Sequence, residues 1–351
     1  MYEDAYLNLR EFLDLLPGGY PETPNGLEIR ILRKLFTPQE AEMAMRLTLG
    51  AEMVSEIAAR CGMEETEAAE MLESMAKKGL IYRERSGEEV RYQAASFVVG
   101  IYEFQLNTID EELAGMVEDY LPYIGMLQGG LDTKQLRVVP VGTAVEATHA
   151  VAAYDRVRDL MREEEIISVS PCICRKEKEL IGTACSLPME ACLGFGSFAK
   201  FYIDNCMGRQ ISLQEALKIL DHAEEEGAVL ATLNSQELRA VCCCCGCCCG
   251  FLAILKLLPS PADILVPTFR AEIDAESCSA CGVCAERCQM DAIAESDGVY
   301  EVDEGRCIGC GLCLSRCPDQ AVAMILNPAI EPPMQRFDDT LVKIVEERAA
   351  L

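Results

Sequence analysis

Cys278-Ser279-Ala280-Cys281-Gly282-Val283-Cys284-Ala285-Glu286-Arg287-Cys288 is answered 29 residues on by Cys307-Ile308-Gly309-Cys310-Gly311-Leu312-Cys313-Leu314-Ser315-Arg316-Cys317-Pro318. Both runs space their cysteines as C-x2-C-x2-C-x3-C. Gly282, Ala292 and Ile293 recur at the same offset as Gly311, Ala321 and Val322. Three thiolates in seven residues wrap three corners of a cubane. The fourth sits too far along the turn to close the same cluster, so it reaches across to the other one. On that scheme Cys278, Cys281, Cys284 and Cys317 hold one [4Fe–4S] cluster, and Cys307, Cys310, Cys313 and Cys288 hold the second. Zinc modules use two C-x2-C pairs per metal, so the x3 step and the repeat argue against zinc here.

Residues 271–326 thus resemble the bacterial dicluster ferredoxin domain, which implies two βαβ-like halves related by a pseudo-twofold. The run departs from the pattern once, where Cys317 is followed by Pro318 but Cys288 by Gln289. The change removes no ligand and bears on solvent access or potential at the second cluster.

Seven further cysteines fall within eight residues, Cys242, Cys243, Cys244, Cys245, Cys247, Cys248 and Cys249, broken only by Gly246. Ionising several adjacent thiols is costly unless a metal supplies positive charge, so the tract reads as metal-binding. It contains Cys-Cys-Gly twice, similar to the noncubane-cluster motif of heterodisulfide reductases, but that motif's wider spacing is not reproduced. Upstream, Pro171-Cys172-Ile173-Cys174-Arg175-Lys176 follows a strand candidate, and Cys185, Cys192 and Cys206 come after it. Arg175, Lys176 and Lys178 favour thiolate there. Cys172, Cys174, Cys185 and Cys192 make a third four-sulfur site, with a thiol–disulfide pair at Cys172/Cys174 as the alternative. The seven-cysteine tract either completes that site or holds a separate cluster.

The 351 residues carry 21 cysteines and a net charge of −27. Clustered thiols in a long chain that starts with acidic Tyr2-Glu3-Asp4 suit metal ligation in an anaerobic cytoplasm better than a secreted disulfide framework. The charge disfavours nonspecific contact with nucleic acid or anionic membrane. Ala240–Leu258 has a single charge, Lys256, yet seven of its residues are candidate ligands. It reads as a ligand loop and a short buried helix, Phe251–Leu258, with no membrane span.

Taken in order, the chain predicts an α+β multidomain protein. Residues 1–25 are a lead-in helix, Tyr6–Leu16, closed by Pro17-Gly18-Gly19. Residues 26–95 run helix, helix, short helix, longer helix and a hairpin around Ser86-Gly87. Thr37-Pro38 and Glu40 form a capping box there. This order resembles a winged helix-turn-helix domain, whose longer helix enters the DNA major groove in many members. Here that helix carries Glu64, Glu65, Glu67, Glu70 and Glu73, so DNA is an unlikely partner and protein docking the better reading. Cys61 is a small core residue. Residues 96–135 are a helical connector, with Phe97–Phe104 β-leaning. Residues 136–270 form an α/β Cys-rich domain with a parallel sheet. Its strands are Arg137–Val141, Ile166–Ser170 and Val229–Leu233, alternating with helices Ala144–Glu165 and Ser212–Glu226. Residues 327–351 are a linker with Pro328, Pro332 and Pro333, then a helix that packs on the body.

Gly194-Phe195-Gly196-Ser197-Phe198-Ala199 matches G-x-G-x-x-A without a strand before it, so the glycines read as packing positions. His149 and His222 lie in helices without partners. The whole chain resembles prokaryotic 4Fe-4S dicluster proteins in which a winged-helix-like region and a Cys-x-Cys-Arg region precede the ferredoxin domain. Two [4Fe–4S] clusters, a third iron–sulfur cluster in the middle domain and a redox partner protein make electron transfer the expected function. The alternatives are a redox-sensing transcriptional regulator and an oxidoreductase with chemistry at the middle cluster.

Overall fold

The computed structural model of the protein describes residues 2–142, 144, 155–265, 267–327 and 330–350. His149, Pro328 and residues 145–154 of the helix expected over Ala144–Glu165 lie outside them. The described remainder of that helix has one α-helical turn, Val157–Leu160, and a 3-10 turn, Met161–Glu163.

The N-terminal region begins with α1 (Tyr2–Leu15), α2 (Leu27–Leu35) and α3 (Pro38–Ala44). Thr37 caps α3 from both sides. Its hydroxyl accepts the Glu40 N–H, and the Glu40 carboxylate accepts the Thr37 N–H at 2.9 Å. After β1 (Glu52–Met53) come α4 (Val54–Cys61), α5 (Glu65–Lys77), β2 (Tyr82–Ser86) and β3 (Glu89–Gln93). The strands form a small antiparallel sheet in the order β1-β3-β2. Ala68, Leu72 and Met75 of α5 are buried at helical spacing, while Glu64, Glu65, Glu67 and Glu70 are exposed. Cys61 is half-buried, its Sγ 3.9 Å from Met43 Sδ.

Phe97–Phe104, expected to be extended, turns instead and passes into a 3-10 helix, Glu103–Asn107. Burial explains the difference. Phe97 packs on Tyr20, Tyr102 and Tyr120, and Phe104 on Phe201 and Tyr202. Helix α6 (Glu111–Gly129) follows, capped by Asp110.

The middle of the chain is built on a six-stranded sheet ordered β4 (Leu136–Val139), β8 (Val229–Leu233), β9 (Ala240–Cys244), β6 (Glu190–Phe195), β5 (Ile167–Pro171) and β7 (Arg209–Ile211). Every pairing is antiparallel, which corrects the parallel sheet expected from strand–helix alternation. Alternation does not fix direction. After helix α7 (Ile173–Leu180) the chain spends Ile181–Met189 returning, so β6 runs back along β5. A six-residue loop likewise reverses β8 into β9.

Helices cover both faces. On one lies α8 (Gly196–Asp204), and on the other α9 (Leu213–Glu225) with Ala216, Leu220 and Ala223 buried. Strand β9 ends in a turn that opens α10 (Gly250–Leu257), so the first part of the apolar run is strand rather than loop. Among the described residues no helix is long and apolar enough to cross a membrane.

The N-terminal hairpin packs on the middle region. Arg83 is almost completely buried. It reaches Glu73 at 2.8 Å and the Asn205 amide oxygen at 3.0 Å, with Asp204 at 3.7 Å. Arg85 joins Glu73 and Asp204. Helix α11 (Phe337–Ala350) closes the body. Asp338 forks onto Arg239, Thr340 bonds the Asn234 carbonyl, and Arg348 reaches Asp14 of α1.

Candidate metal centres

The C-terminal cysteines sit on two small antiparallel pairs. These are β10 (Phe269–Ile273) with β13 (Val322–Leu326), and β11 (Ile293–Ser296) with β12 (Val299–Val302). Cys288, Cys307, Cys310 and Cys313 line one cavity, closed by Met290, Ile293, Ile308 and Leu312. The fourth cysteine of the first run therefore stands with three of the second. Burial pushes the Cys307, Cys310 and Cys313 thiols up, Cys310 to about 12. In the other half, burial and the nearby Cys278 and Cys281 raise Cys284. A Ser279–Asp319 hydrogen bond ties that loop to the turn after Cys317.

Thiols this buried resist ionisation unless a cation and hydrogen-bond donors compensate, and the donors are present. Ala292 N–H points at Cys288 Sγ (3.2 Å), Ala321 N–H at Cys317 Sγ (3.3 Å) and Ala271 N–H at Cys307 Sγ (3.3 Å). Ala292 and Ala321 are repeat-related, so the same backbone device serves both halves. The donor set fits two cubanes.

Gln289, the residue that departs from the Cys-Pro pattern, has a definite use. Its Oε1 accepts the Gly246 N–H at 2.9 Å, and its Nε2 donates to the Gly227 carbonyl at 3.0 Å. A Cβ at Gly246 would stand 2.7 Å from the Gln289 carbonyl oxygen, so only glycine admits this approach. The C-terminal domain thereby grips the seven-cysteine tract at its single interruption.

The middle cysteines fall into two groups. Strand period places Cys242 and Cys244 on one face of β9 and Cys243 on the other. Cys172, Cys174, Cys192, Cys242, Cys244 and Cys249 line a basin of about 110 Å³, with Tyr102, Glu103, Phe198 and Tyr202 among its other walls. Cys192 pairs directly across from Cys242. Neighbouring thiols here share protons. Cys172, Cys242 and Cys249 are held down by hydrogen bonds from Cys174, Cys192 and Cys244, whose own values are pushed up in return. Burial lifts the Glu103 carboxyl to about 8. On the opposite face, Cys243 is raised to about 12 by burial and sits against Ile219 and Ala223 of α9.

Cys185, Cys245, Cys247 and Cys248 form the second group, their sulfurs all within 4.8 Å of one another. Arg175 stands between the groups, almost fully buried. It donates to the Pro188 and Cys243 carbonyls, both at 2.6 Å, and its charge faces Cys172, Cys245 and Cys185. The structure thus sets Cys185 apart from Cys172, Cys174 and Cys192, and gives Cys249 back to them. Cys206 is exposed and belongs to neither group.

The basin wall residue Glu103 carried no sequence signal, because nothing near it in the chain is a ligand. A strand does lead into this stretch, contrary to expectation: Gly194 lies within β6 and Gly196 directly follows it. That strand lies between antiparallel neighbours, and a Cβ at Gly194 would stand 2.8 Å from Ser168 Oγ of β5 and 3.2 Å from Ala199 Cα of α8. Close packing of α8 on the sheet accounts for the glycine. His222 is exposed on α9, 4.0 Å from Glu225.

Residues 271–324 match the family model described as a 4Fe-4S dicluster domain. No curated protein and no solved structure matches the chain. The C-terminal domain carries two [4Fe–4S] clusters, and the protein is an iron–sulfur protein.

Proposed function

We propose that this chain is an electron-transfer protein, passing electrons between a redox partner protein and the six-thiol basin of its middle domain. Cys278, Cys281, Cys284 and Cys317 are the ligands of one cluster, and Cys288, Cys307, Cys310 and Cys313 of the other. The clusters supply one-electron chemistry. The chain's part is to hold them, shield them and set their distance to the basin. The observation that carries this reading is Gln289. The residue after ligand Cys288 is hydrogen-bonded to the backbone of the tract that furnishes Cys242, Cys244 and Cys249. Six thiols around one basin are more than a cubane needs, and they support a further iron–sulfur cluster there.

A second reading, an oxidoreductase with its chemistry in the basin, is favoured by the apolar walls and the raised Glu103 carboxyl. The helix order of 26–95 and its β1-β3-β2 sheet support a winged-helix arrangement. Its hairpin arginines Arg83 and Arg85 are spent on Glu73 and Asp204, and the exposed face of α5 is acidic. We therefore assign this region to protein docking rather than to DNA. The clustered free thiols support a reducing compartment, which we take to be the cytoplasm.

The test is anaerobic purification with iron and acid-labile sulfide per chain, and EPR after dithionite. About eight irons and a coupled two-cluster spectrum are the minimum expected from two cubanes. A further signal lost in Cys172→Ala places a cluster in the basin. Fewer than about four irons in protein never exposed to air would end the electron-transfer reading.

A further inference from the structure

From the second cysteine group we infer a mononuclear metal site. Cys185, Cys245, Cys247 and Cys248 bind one divalent ion in tetrahedral tetrathiolate coordination, separate from every iron–sulfur cluster of the chain. The inference is independent of the electron-transfer reading.

Spacing carries the argument. Cys185 Sγ lies 3.7 Å from Cys245 Sγ, and Cys247 Sγ lies 3.8 Å from Cys248 Sγ. A tetrahedral ion with metal–sulfur bonds of about 2.3 Å requires sulfur–sulfur edges of roughly 3.8 Å. In a cubane each thiolate sits on its own iron, which spreads the four sulfurs by the metal–metal edge as well. The eight ferredoxin cysteines are the internal comparison. Neither they nor the basin thiols bring three sulfurs as close as 4.8 Å among the described residues, and Cys185, Cys245, Cys247 and Cys248 do.

The surroundings suit a dianionic tetrathiolate. Buried Arg175 places its charge beside Cys245 and Cys185, and its Nε finds no hydrogen-bond partner among the described residues. The Leu187 N–H serves Cys185, and the Cys185 N–H serves Cys248. Four protein ligands leave no open position, the mark of a structural rather than a catalytic ion.

Topology gives the ion its work. Cys185 comes from the loop joining α7 to β6. The other three come from the turn joining β9 to α10. The elements joined by those two segments deliver the basin thiols, Cys172, Cys174 and Cys192 on one side and Cys242, Cys244 and Cys249 on the other. One ion staples the two halves of the basin wall.

Zinc is the expected occupant, and mononuclear iron has the same ligand chemistry. The test uses the full chain, purified without oxygen, with zinc and iron counted per chain. X-ray absorption at the zinc edge should give one zinc with four sulfurs at about 2.3 Å and no metal–metal shell. In the iron arm, a lone high-spin ferric EPR signal appears on mild oxidation and supports the same site. The Cys185→Ser/Cys247→Ser double variant should lose that one ion while the reduced ferredoxin EPR signal stays. Where the variant does not fold, the wild-type absorption and EPR data decide. Retention of the ion in the folded variant, a metal–metal shell around it, or no metal beyond the cluster iron would overturn the inference.

Discussion

Replacing Gln289 with alanine removes two hydrogen bonds, from the Gly246 N–H at 2.9 Å and to the Gly227 carbonyl at 3.0 Å, and leaves every cysteine ligand in place. Each such bond contributes about 0.5–1.5 kcal/mol net. Gln289 is half-buried, so water recovers part of the loss and about 1–2 kcal/mol remains. Cluster loss on unfolding is irreversible, which makes a rate the right observable. In fixed urea under argon, the iron–sulfur absorbance of Gln289→Ala should bleach about 5- to 30-fold faster than that of the wild type, the factor that 1–2 kcal/mol implies. Iron content before urea should be unchanged. Gln289→Glu keeps the acceptor for Gly246 but faces the Gly227 carbonyl with a second acceptor, so it should recover at most part of the effect. Gly246→Ala attacks the same contact from the other side and must move backbone, because its Cβ would stand 2.7 Å from the Gln289 carbonyl oxygen. It should bleach at least as fast. Wild-type bleaching in both Gln289→Ala and Gly246→Ala would refute the claim that this contact couples the cluster domain to the tract.

Arg83→Met should destabilise the chain by about 3 kcal/mol, since it breaks a buried ion pair while Arg85 still serves Glu73. Urea unfolding followed by far-UV circular dichroism checks it. Thr37→Ala removes the α3 capping box at a cost of about 1 kcal/mol, and Thr37→Ala with Glu40→Ala should cost less than the sum of the singles. Burial lifts the Glu177 carboxyl to about 7, against about 4.3 in an unfolded chain. A raised carboxyl stabilises fully below the unfolded value. That stability is lost as pH climbs to about 7, by up to roughly 3 kcal/mol. Glu177→Gln should flatten stability between about pH 5 and pH 7, and an unchanged slope would show that another group sets it.

The cluster domain was legible in the sequence because its information is local. Spacing within seven residues and a 29-residue repeat point to a dicluster domain and its candidate ligands before any fold is known. The α3 capping box and the apolar β8 were legible for the same reason. Sheet direction was not, because strand–helix alternation is silent about the loops that return the chain. Strand β9 was hidden by its own composition, since Cys242, Cys243 and Cys244 read as ligands rather than as pleated backbone. The departure at Gln289 was visible, but its partner Gly246 lies 43 positions away in the chain. Only the docked structure shows why proline, which has no side-chain donor or acceptor, would not serve there.

The seven-cysteine tract becomes intelligible once its backbone is known. A strand turns successive side chains to opposite faces, so Cys242 and Cys244 enter the basin while Cys243 is spent against α9. The turn that follows brings Cys245, Cys247 and Cys248 to Cys185. Helix α10 then begins, with Cys249 as its N-cap residue, and brings that thiol back to the basin. No single element could aim seven thiols from eight residues at one metal. Strand, turn and helix start, in eight residues, distribute them over two thiol groups and one core position. Gly246 is the point at which the backbone is left bare for Gln289. The density of cysteine there reflects two thiol groups meeting at one chain reversal, and the contact with the cluster domain is made at that reversal.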